Sequence, residues 1–252
     1  MTSYTIAGQP LESNKARILF DSAKQQIDPT FNWSALDSVF EIALQTPSLF
    51  PKINLGIENH SASVYITHWA SRYYRAYINP PSSRKATQGS SCPDPASIEL
   101  VAYKLRISPQ DIIWPLYHHN LFMAAENIQG GLLEEYIAQK ITPYGFIWCL
   151  GNVLHAVDFC NREGTFLLQV KNKYNTENSS SSNIREGTSI KKWHRLAVRT
   201  TAGNKTPVYQ WDELNQLINS YLHNLPHCYM SEGEYISFLM YSIGRNPNLI
   251  TA

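Results

Sequence analysis

Three polar residues lie around a predicted strand turn: Asp158 ends one short strand, and Gln169 and Lys171 close the next. A Glu-Gly dipeptide between them marks a turn, so residues 156–160 and 165–170 are predicted to form a β-hairpin. Because side chains alternate along a strand, Gln169 and Lys171 share one face, and the hairpin can bring Asp158 near both. A carboxylate and carbonyl oxygens can hold Mg²⁺, while a lysine can position water and stabilise developing negative charge. The pattern suits metal-dependent hydrolysis of a phosphodiester.

The order of these residues resembles the core of PD-(D/E)xK nucleases. Upstream, the segment GLLEEYIAQKI at 131–141 is similar to the helix that precedes the catalytic hairpin in that superfamily. Downstream, residues 171–195 resemble the segment that follows the hairpin in SinI-like type II restriction endonucleases, which cut short GC-rich palindromes. The resemblance spans residues 130–195 and does not extend over the N-terminal helices.

The resemblance also implies the site residues. It makes Asp158, Gln169, Lys171 and Glu134 the catalytic group, and it implies Mg²⁺ held by Asp158, Glu134, Gln169 and the carbonyl of Val170. Glu135 is the rival of Glu134, because the two lie at nearly equal angles from the apolar stripe of their helix. Gln169 departs from the superfamily pattern, which has Asp or Glu at that position. Its amide oxygen can still bind a metal but adds no charge, so the missing charge is expected from Glu134.

Basic residues concentrate downstream of the predicted hairpin. Residues 171–205 contain eight Lys or Arg and two Glu, a local charge of +6, whereas the whole chain carries +1 and the remainder therefore −5. Positive charge beside a metal site attracts phosphates, and Asn and Ser side chains can contact phosphate oxygens and base edges. The serine run at 179–182 is equally typical of a flexible linker. The predicted DNA contacts are Asn172, Lys173, Asn175, Asn178, Ser179, Ser180, Ser181, Arg185, Lys191, Lys192 and Arg195, of which the last four are the candidates for guanine.

The composition of the whole chain excludes several classes of protein. A net charge of +1 argues against an indiscriminate polyanion binder. Four widely spaced cysteines without a CxxC pair, in a chain without a predicted signal peptide, are typical of the reducing cytoplasm. No apolar run approaches the ~20 residues of a membrane span. His223 and His227 have i, i+4 spacing, but Pro226 lies between them and argues against a zinc site.

The elements around the hairpin are mainly predicted helices. A period of 3.6 residues predicts helices at 14–27, 33–44, 61–77 and 97–107, a loop at 79–96, a helix from near 109, another at 131–141, and closing helices at 211–222 and 232–242. We predict an α/β (α+β) fold with a restriction-endonuclease-like core, in which a small mixed sheet is flanked by helices and the N-terminal part is helical. Residues 1–252 are predicted to form a single domain, with a helical part at 1–130, the catalytic core and DNA-contact segment at 131–205, and the closing helices at 206–252.

These features lead to the expectation of a type II restriction endonuclease. It would make Mg²⁺-dependent double-strand cuts in a short palindrome, for which the resemblance suggests GGNCC or GG(A/T)CC. A two-fold site implies a homodimer, and a restriction enzyme implies a companion DNA methyltransferase that protects the host. Two alternatives stay open: a sequence-specific DNA-binding protein with an inactive nuclease core, and a DNA-repair nuclease that recognises DNA structure.

Overall fold

The computed structural model describes residues 3–6, 9–53, 61–87, 94–173, 189–201, 203–223 and 225–251. The helices are α1 (Ser13–Ile27), α2 (Ser34–Gln45), α3 (Ala62–Ile78), α4 (Pro95–Leu105), α5 (Ile113–Ile141), α6 (Trp211–Asn219) and α7 (Glu232–Arg245). The strands are β1 (Ser3–Ile6), β2 (Gln9–Glu12), β3 (Ala86–Thr87), β4 (Ile147–Trp148), β5 (Phe159–Cys160), β6 (Leu167–Lys173), β7 (Ile190–Thr201), β8 (Asn204–Tyr209) and β9 (Ile250–Thr251). This mixture of helices and strands confirms the predicted fold class.

The chain divides into two compact units. The first combines residues 1–79 with 136–232, and the second combines 80–135 with 233–252. Each unit therefore draws on segments that are distant in sequence, rather than on the consecutive parts predicted above. The assignment of residues 1–252 to a single domain stays a prediction.

The first unit contains a mixed five-stranded sheet with the order β4-β5-β6-β7-β8. Strands β6 and β7 run parallel, and the other neighbouring pairs are antiparallel. The predicted hairpin is confirmed as β5 and β6, although its strands begin later than expected. Strands β7 and β8 were not predicted, because their exposed polar residues interrupt the simple alternation of a half-buried strand.

An aromatic cluster forms the centre of the hydrophobic core in this unit. Phe20 of α1, Phe40 of α2 and Trp69 of α3 are almost fully buried, with ring centroids 4.3–5.7 Å apart. The indole Nε1 of Trp69 donates a hydrogen bond of 2.8 Å to the carbonyl of Val153. This bond ties the loop between β4 and β5 to the helical core.

A tight turn at Gly151 brings the same loop against α3. The residue has a φ of +71°, which L side chains rarely adopt, and an added Cβ would lie 2.6 Å from the carbonyl oxygen of Arg72. Only glycine fits this position without a shift of the backbone. The turn therefore sets the path of the chain toward Asp158.

The second unit contains α4, the first part of α5, most of α7 and the parallel pair β3–β9. Helix α5 is continuous from Ile113 to Ile141. The prediction of two separate helices, one from near 109 and one at 131–141, was therefore wrong. Gly131 allows the helix to pass close to Pro81, because an added Cβ would lie 3.0 Å from the proline Cγ. Gly131 therefore marks a position of close packing and not a break in the helix.

The other predicted helices of this part of the chain begin within a few residues of their positions in the structure. The predictions at 14–27, 33–44, 61–77 and 97–107 correspond, in that order, to α1, α2, α3 and α4. The closing helices are confirmed as α6 and α7, of which α6 ends earlier than predicted. None of the helices in the described part of the chain combines the length and hydropathy that a bilayer span requires.

Candidate active site

Asp158 lies immediately before β5 and is held by the backbone on both sides. Its N–H donates to the carbonyl of Leu168 at 2.8 Å, and its own carbonyl accepts from the N–H of Cys149 at 2.8 Å. Phe159 pairs with Leu168, so continuing the antiparallel register places Asp158 opposite Gln169. Asp158 thus lies at the start of a strand, whereas the sequence analysis placed it at the end of one. It lies opposite Gln169, as the predicted hairpin requires.

The carboxylate of Asp158 lies in an environment that disfavours its charge. Its Oδ2 accepts a hydrogen bond of 2.7 Å from the N–H of Val170. Burial raises the pKa of Asp158 to about 6, while the Val170 bond and the nearby charge of Lys171 act in the opposite direction. A carboxylate with a raised pKa beside a lysine is a frequent feature of functional sites.

Gln169 supplies a second oxygen at this position. Its side chain is buried, and Oε1 has no hydrogen-bond partner among the described residues. A buried amide oxygen without a partner is costly unless something absent from the protein chain binds it. A hard cation with oxygen ligands fits this requirement, with Asp158 and the Val170 carbonyl as further donors.

The candidate metal ligands around Asp158 include neutral oxygens as well as its carboxylate. In the residues that the structure describes, no group of three or more His, Cys, Asp and Glu side chains could hold a metal ion. A cation at the hairpin would therefore need the amide oxygen of Gln169 and a backbone carbonyl in addition to Asp158. These are ligands that Mg²⁺ and Ca²⁺ accept and that softer metals do not favour.

The two candidate glutamates of α5 lie in the second unit, whereas Asp158 lies in the first. Glu135 is buried, and its carboxylate accepts hydrogen bonds from the N–H of Ser82 at 2.8 Å and from the Ser82 hydroxyl at 2.5 Å. Both oxygens of Glu135 are thus engaged within its own unit. Glu134 is half-buried on the same helix, and its role as a metal ligand stays a prediction.

Strand β7 brings a lysine and a histidine to the face of the sheet that carries Gln169 and Lys171. In the parallel register, Lys192 pairs with Gln169 and His194 pairs with Lys171. Burial lowers the pKa of His194, and the charges of Lys192 and Lys171 lower it further. His194 was not found from the sequence, because its neighbours lie on a strand that is separated from it by residues 174–189.

Lys191 lies on the opposite face of β7 from Lys192, since successive side chains alternate. Its Nζ lies 5.2 Å from the centroid of the Tyr221 ring, in the range of a cation–π contact. The two neighbouring lysines, which sequence reasoning treated alike, therefore have different surroundings.

Arg195 also lies on the face opposite Gln169, and it is buried. Its Nε donates to Oδ1 of Asn172 at 2.8 Å, and its Nη1 donates to Oε1 of Glu232 at 2.5 Å. The guanidinium stacks 5.5 Å from the Tyr209 ring centroid. The guanidinium of Arg195 thus links β6, β7 and the start of α7, and the predicted DNA contacts of Arg195 and Asn172 stay predictions.

Several predicted DNA contacts lie outside the described residues. They are Asn175, Asn178, Ser179, Ser180, Ser181 and Arg185, all within 174–188. Lys173 is described, and it is exposed at the end of β6.

Comparison with known families agrees with the class indicated by the hairpin. A family model of the SinI restriction endonuclease matches residues 69–230, a range that includes the whole five-stranded sheet. The chain therefore belongs to the SinI restriction endonuclease family of type II restriction enzymes, which are site-specific deoxyribonucleases.

Two relatives are similar over most of their length. The type II restriction enzyme Eco47I of Escherichia coli is 36% identical over 214 residues, which cover 79% of this chain and 85% of that protein. The type II restriction enzyme SinI of Salmonella infantis is 39% identical over 196 residues, which cover 72% of this chain and 81% of that protein.

Proposed function

We propose that this restriction endonuclease uses Mg²⁺ to cut both strands of a short palindromic GC-rich DNA site, GGNCC or GG(A/T)CC. The observation that carries the metal-dependent chemistry is the buried Oε1 of Gln169, which has no partner among the described residues and lies on the residue opposite Asp158. The proposed recognition site rests on the resemblance to SinI-like enzymes. The membership of the family supports the double-stranded DNA substrate.

Asp158, Gln169 and the Val170 carbonyl would hold the metal in the first unit, and Glu134 of α5 stays the predicted acidic ligand. A bound divalent cation supplies Lewis-acid polarisation of the scissile phosphate and lowers the pKa of water. Lys171 lies beside Asp158 at the end of β6, where its ammonium can donate a hydrogen bond to the attacking water and stabilise charge on the phosphate. The attacking water would release a proton to solvent as its oxygen forms a bond to phosphorus, the bond to the leaving ester oxygen would break, and solvent would protonate that oxygen.

The engagement of Glu135 supports Glu134 as the acidic ligand from α5. Because Ser82 binds both oxygens of Glu135, that carboxylate would have to give up two hydrogen bonds before it could bind a metal. Glu134 would restore the negative charge that Gln169 lacks.

The proposed DNA contacts are the basic and polar residues of the segment that follows the hairpin. Its local charge of +6 favours phosphate binding there. The described members are Lys173, Lys191 and Lys192, and the others are Asn175, Asn178, Ser179, Ser180, Ser181 and Arg185. A homodimer would supply one active centre to each strand of the palindrome. A companion methyltransferase would protect the host's own sites, and the proposed setting is the cytoplasm.

A plasmid digest tests the proposed chemistry. With Mg²⁺, the wild-type protein is expected to produce discrete fragments, while Asp158→Ala and Lys171→Ala lower the cleavage rate by about a hundredfold or more and still shift DNA on a gel. Lys52→Ala, an exposed lysine of the first unit, is the matched control and should cleave normally.

The same digest separates the proposal from its alternatives. Full activity of either active-site variant would remove those residues from the catalytic centre. A gel shift without cleavage by the wild-type protein would indicate a DNA-binding protein with an inactive core, to which the neutral Gln169 would then point. Nicks or smears in place of fixed fragments would indicate a structure-specific nuclease. Mapping the fragment ends gives the recognition site.

A further inference from the structure

The end of β6, which carries Lys171, is paired along one edge among the described residues. Strand β5 pairs with β6 at Leu167 and Leu168, whereas β7 pairs with it from Leu167 to Lys173. Beyond Val170, the backbone of β6 therefore depends on β7 for the hydrogen bonds of the sheet. A group that orients an attacking water loses much of its effect when it is displaced by about 1 Å, so the position of this strand end matters for Lys171.

Arg195 of β7 adds a side-chain link to the same part of β6. Its Nε donates a hydrogen bond of 2.8 Å to Oδ1 of Asn172, the residue that follows Lys171. Because successive side chains of a strand alternate, Asn172 and Lys171 project to opposite faces of the sheet. The link therefore restrains the β6 backbone at Lys171 from the face that the Lys171 side chain does not occupy.

Glu232, at the start of α7, holds the guanidinium of Arg195. Its Oε1 accepts a hydrogen bond of 2.5 Å from Nη1 of Arg195, and its Oε2 accepts one of 2.9 Å from the indole Nε1 of Trp211. The side chains of Arg195 and Glu232 are only 6% and 21% exposed. Charge-assisted hydrogen bonds with so little exposure hold a geometry more strictly than an ion pair in water does. The chain of contacts from Trp211 to Asn172 lies within the first unit.

We propose that Glu232 is a positioning residue for Lys171 and acts on it through Arg195 and Asn172. This inference rests on the proposed role of Lys171 in cleavage. Removal of the Glu232 charge leaves a buried guanidinium without its counter-ion, so Arg195 is expected to turn away from Asn172. The end of β6 then shifts, and the ammonium of Lys171 shifts with it.

Asp158, the proposed carboxylate ligand of the metal, is held by other contacts. Its backbone bonds to Leu168 and Cys149, and its Oδ2 accepts from the N–H of Val170. A displacement confined to the end of β6 should therefore spare metal binding. A general loss of structure would instead weaken both metal binding and cleavage.

Glu41 provides a matched control in the same unit. Its two carboxylate oxygens accept hydrogen bonds of 2.8 and 2.6 Å from the guanidinium of Arg17, so it also forms an arginine–glutamate pair. This pair joins α1 to α2, and its side chains are 45% and 44% exposed. Neither Glu41 nor Arg17 belongs to the proposed catalytic residues or DNA contacts. Glu41→Gln thus makes the same chemical change at a pair that does not restrain β6.

The test measures single-turnover cleavage with Mg²⁺, DNA affinity with Ca²⁺, and the affinity for Mn²⁺ by calorimetry. Glu232→Gln is expected to lower the cleavage rate by about tenfold to a hundredfold, because the group that orients the water is displaced. Both affinities should fall by less than about threefold, because the metal ligands and most phosphate contacts are unchanged. Glu41→Gln should keep all three values within about twofold of the wild type.

A double-mutant cycle shows whether Glu232 acts through Lys171. In Lys171→Ala the residue to be positioned is absent, so adding Glu232→Gln should lower the remaining rate by less than about twofold. An equal cost of Glu232→Gln in the wild type and in Lys171→Ala would overturn the inference, because Glu232 would then act independently of Lys171.

Trp211→Phe is a second variant of the same chain of contacts. It removes the N–H that binds Oε2 of Glu232 and keeps an aromatic ring, so it should lower the cleavage rate by about threefold to tenfold. All variants are assayed well below their melting temperatures. If Glu232→Gln does not fold, the same cycle with Trp211→Phe decides the inference, and an unchanged rate would overturn it.

Other outcomes distinguish the inference from the proposed function. If Lys171→Ala cleaves at the wild-type rate, the proposed role of Lys171 fails, and the inference fails with it. If Lys171→Ala loses cleavage and Glu232→Gln does not, the inference alone fails. A joint loss of cleavage and metal affinity would show a general loss of structure. A loss of DNA affinity with altered preference among sites would support the predicted guanine contact of Arg195. Either of these last two results overturns the positioning role of Glu232.

Discussion

Burial and charge conflict at Asp158. Its carboxyl group is largely removed from water, which favours the protonated form, whereas metal binding requires the ionised form. The hydrogen bond from Val170 and the charge of Lys171 only partly offset the desolvation. If Asp158 holds a cation as proposed, its burial lowers the stability of the folded protein when no cation is bound.

The raised pKa of Asp158, about 6, predicts how metal binding depends on pH. Below pH 6 the affinity for Mn²⁺, used as a probe in calorimetry, should fall about tenfold per pH unit, because a proton then occupies the carboxylate. Asp158→Asn should bind the metal weakly at every pH. A wild-type affinity that stays constant from pH 7 to pH 5 would contradict this role of Asp158.

The raised pKa of Asp158 also predicts how the stability of the metal-free protein depends on pH. Between the ordinary value of 3.8 and about 6, the folded protein binds more protons at Asp158 than the unfolded chain does. The free energy of unfolding of the wild type, relative to Asp158→Asn, should therefore fall as the pH rises through this window. At pH 7 the variant should melt a few degrees higher, since about 1 kcal/mol shifts the melting temperature of a protein of this size by about 2–4 °C.

At the scale of elements, the parallel pairing of β6 and β7 separates two groups of polar residues. Gln169, Lys171, Lys192 and His194 lie on one face, and Arg195 lies on the other with Asn172. Arg195 also contacts Glu232 at the start of α7. Two basic residues on one strand, Lys192 and Arg195, thus lie on opposite faces of the sheet and have different surroundings.

Arg195→Ala is expected to destabilise the protein by about 3–5 kcal/mol, because it leaves the partly buried Glu232 carboxylate without its guanidinium. Urea denaturation followed by tryptophan fluorescence measures the change. Arg199→Ala, on the exposed end of the same strand, is the control and should change stability by less than about 0.5 kcal/mol. Reduced DNA affinity in a fully stable Arg195→Ala protein would instead support the predicted guanine contact.

At the scale of the whole molecule, the net charge of +1 is the small difference between a segment of +6 and a remainder of −5. This distribution confines phosphate attraction to the neighbourhood of the hairpin. The second unit, by contrast, exposes large apolar side chains on α4 and at the start of α5. They include Leu100, Tyr103, Trp114 and Phe122, with exposed fractions of 72%, 88%, 66% and 64%.

A second copy of this chain is the proposed partner of that apolar surface, because a two-fold dimer would supply one active centre to each strand of a palindrome. Aromatic side chains bury about 150–250 Å² each, so these residues contribute a substantial part of the ~800 Å² per subunit of a stable interface. The combination Leu100→Asp with Tyr103→Asp is expected to convert a dimer to a monomer in light scattering and to replace double-strand cuts by nicks.

The control for this prediction is Ile18→Asp, at an apolar residue of the first unit that is 68% exposed. It should leave the dimer intact. A wild-type protein that is monomeric with and without DNA would contradict the proposed dimer, and a dimer that survives both α4 substitutions would place the interface elsewhere.

The sequence alone determined the features that depend on neighbours in the chain. The periodicity of apolar residues indicated the helices, and the Glu-Gly turn with its flanking runs indicated the hairpin that brings Asp158 opposite Gln169. The continuous α5 was missed because its glycine pair is typical of a break unless the packing of Gly131 on Pro81 is known.

The tertiary structure decided the roles that depend on distant partners. The pairing of Lys192 with Gln169, the network of Arg195 with Asn172 and Glu232, and the engagement of Glu135 by Ser82 each join residues separated by more than 20 positions. Such contacts leave no periodic signal in the chain, because the sequence does not show which distant partner each Lys, Arg or Glu of these segments has in the fold. The parallel register of two strands, and not composition, therefore separates Lys192, which lies beside Gln169, from Lys191, which packs on a tyrosine.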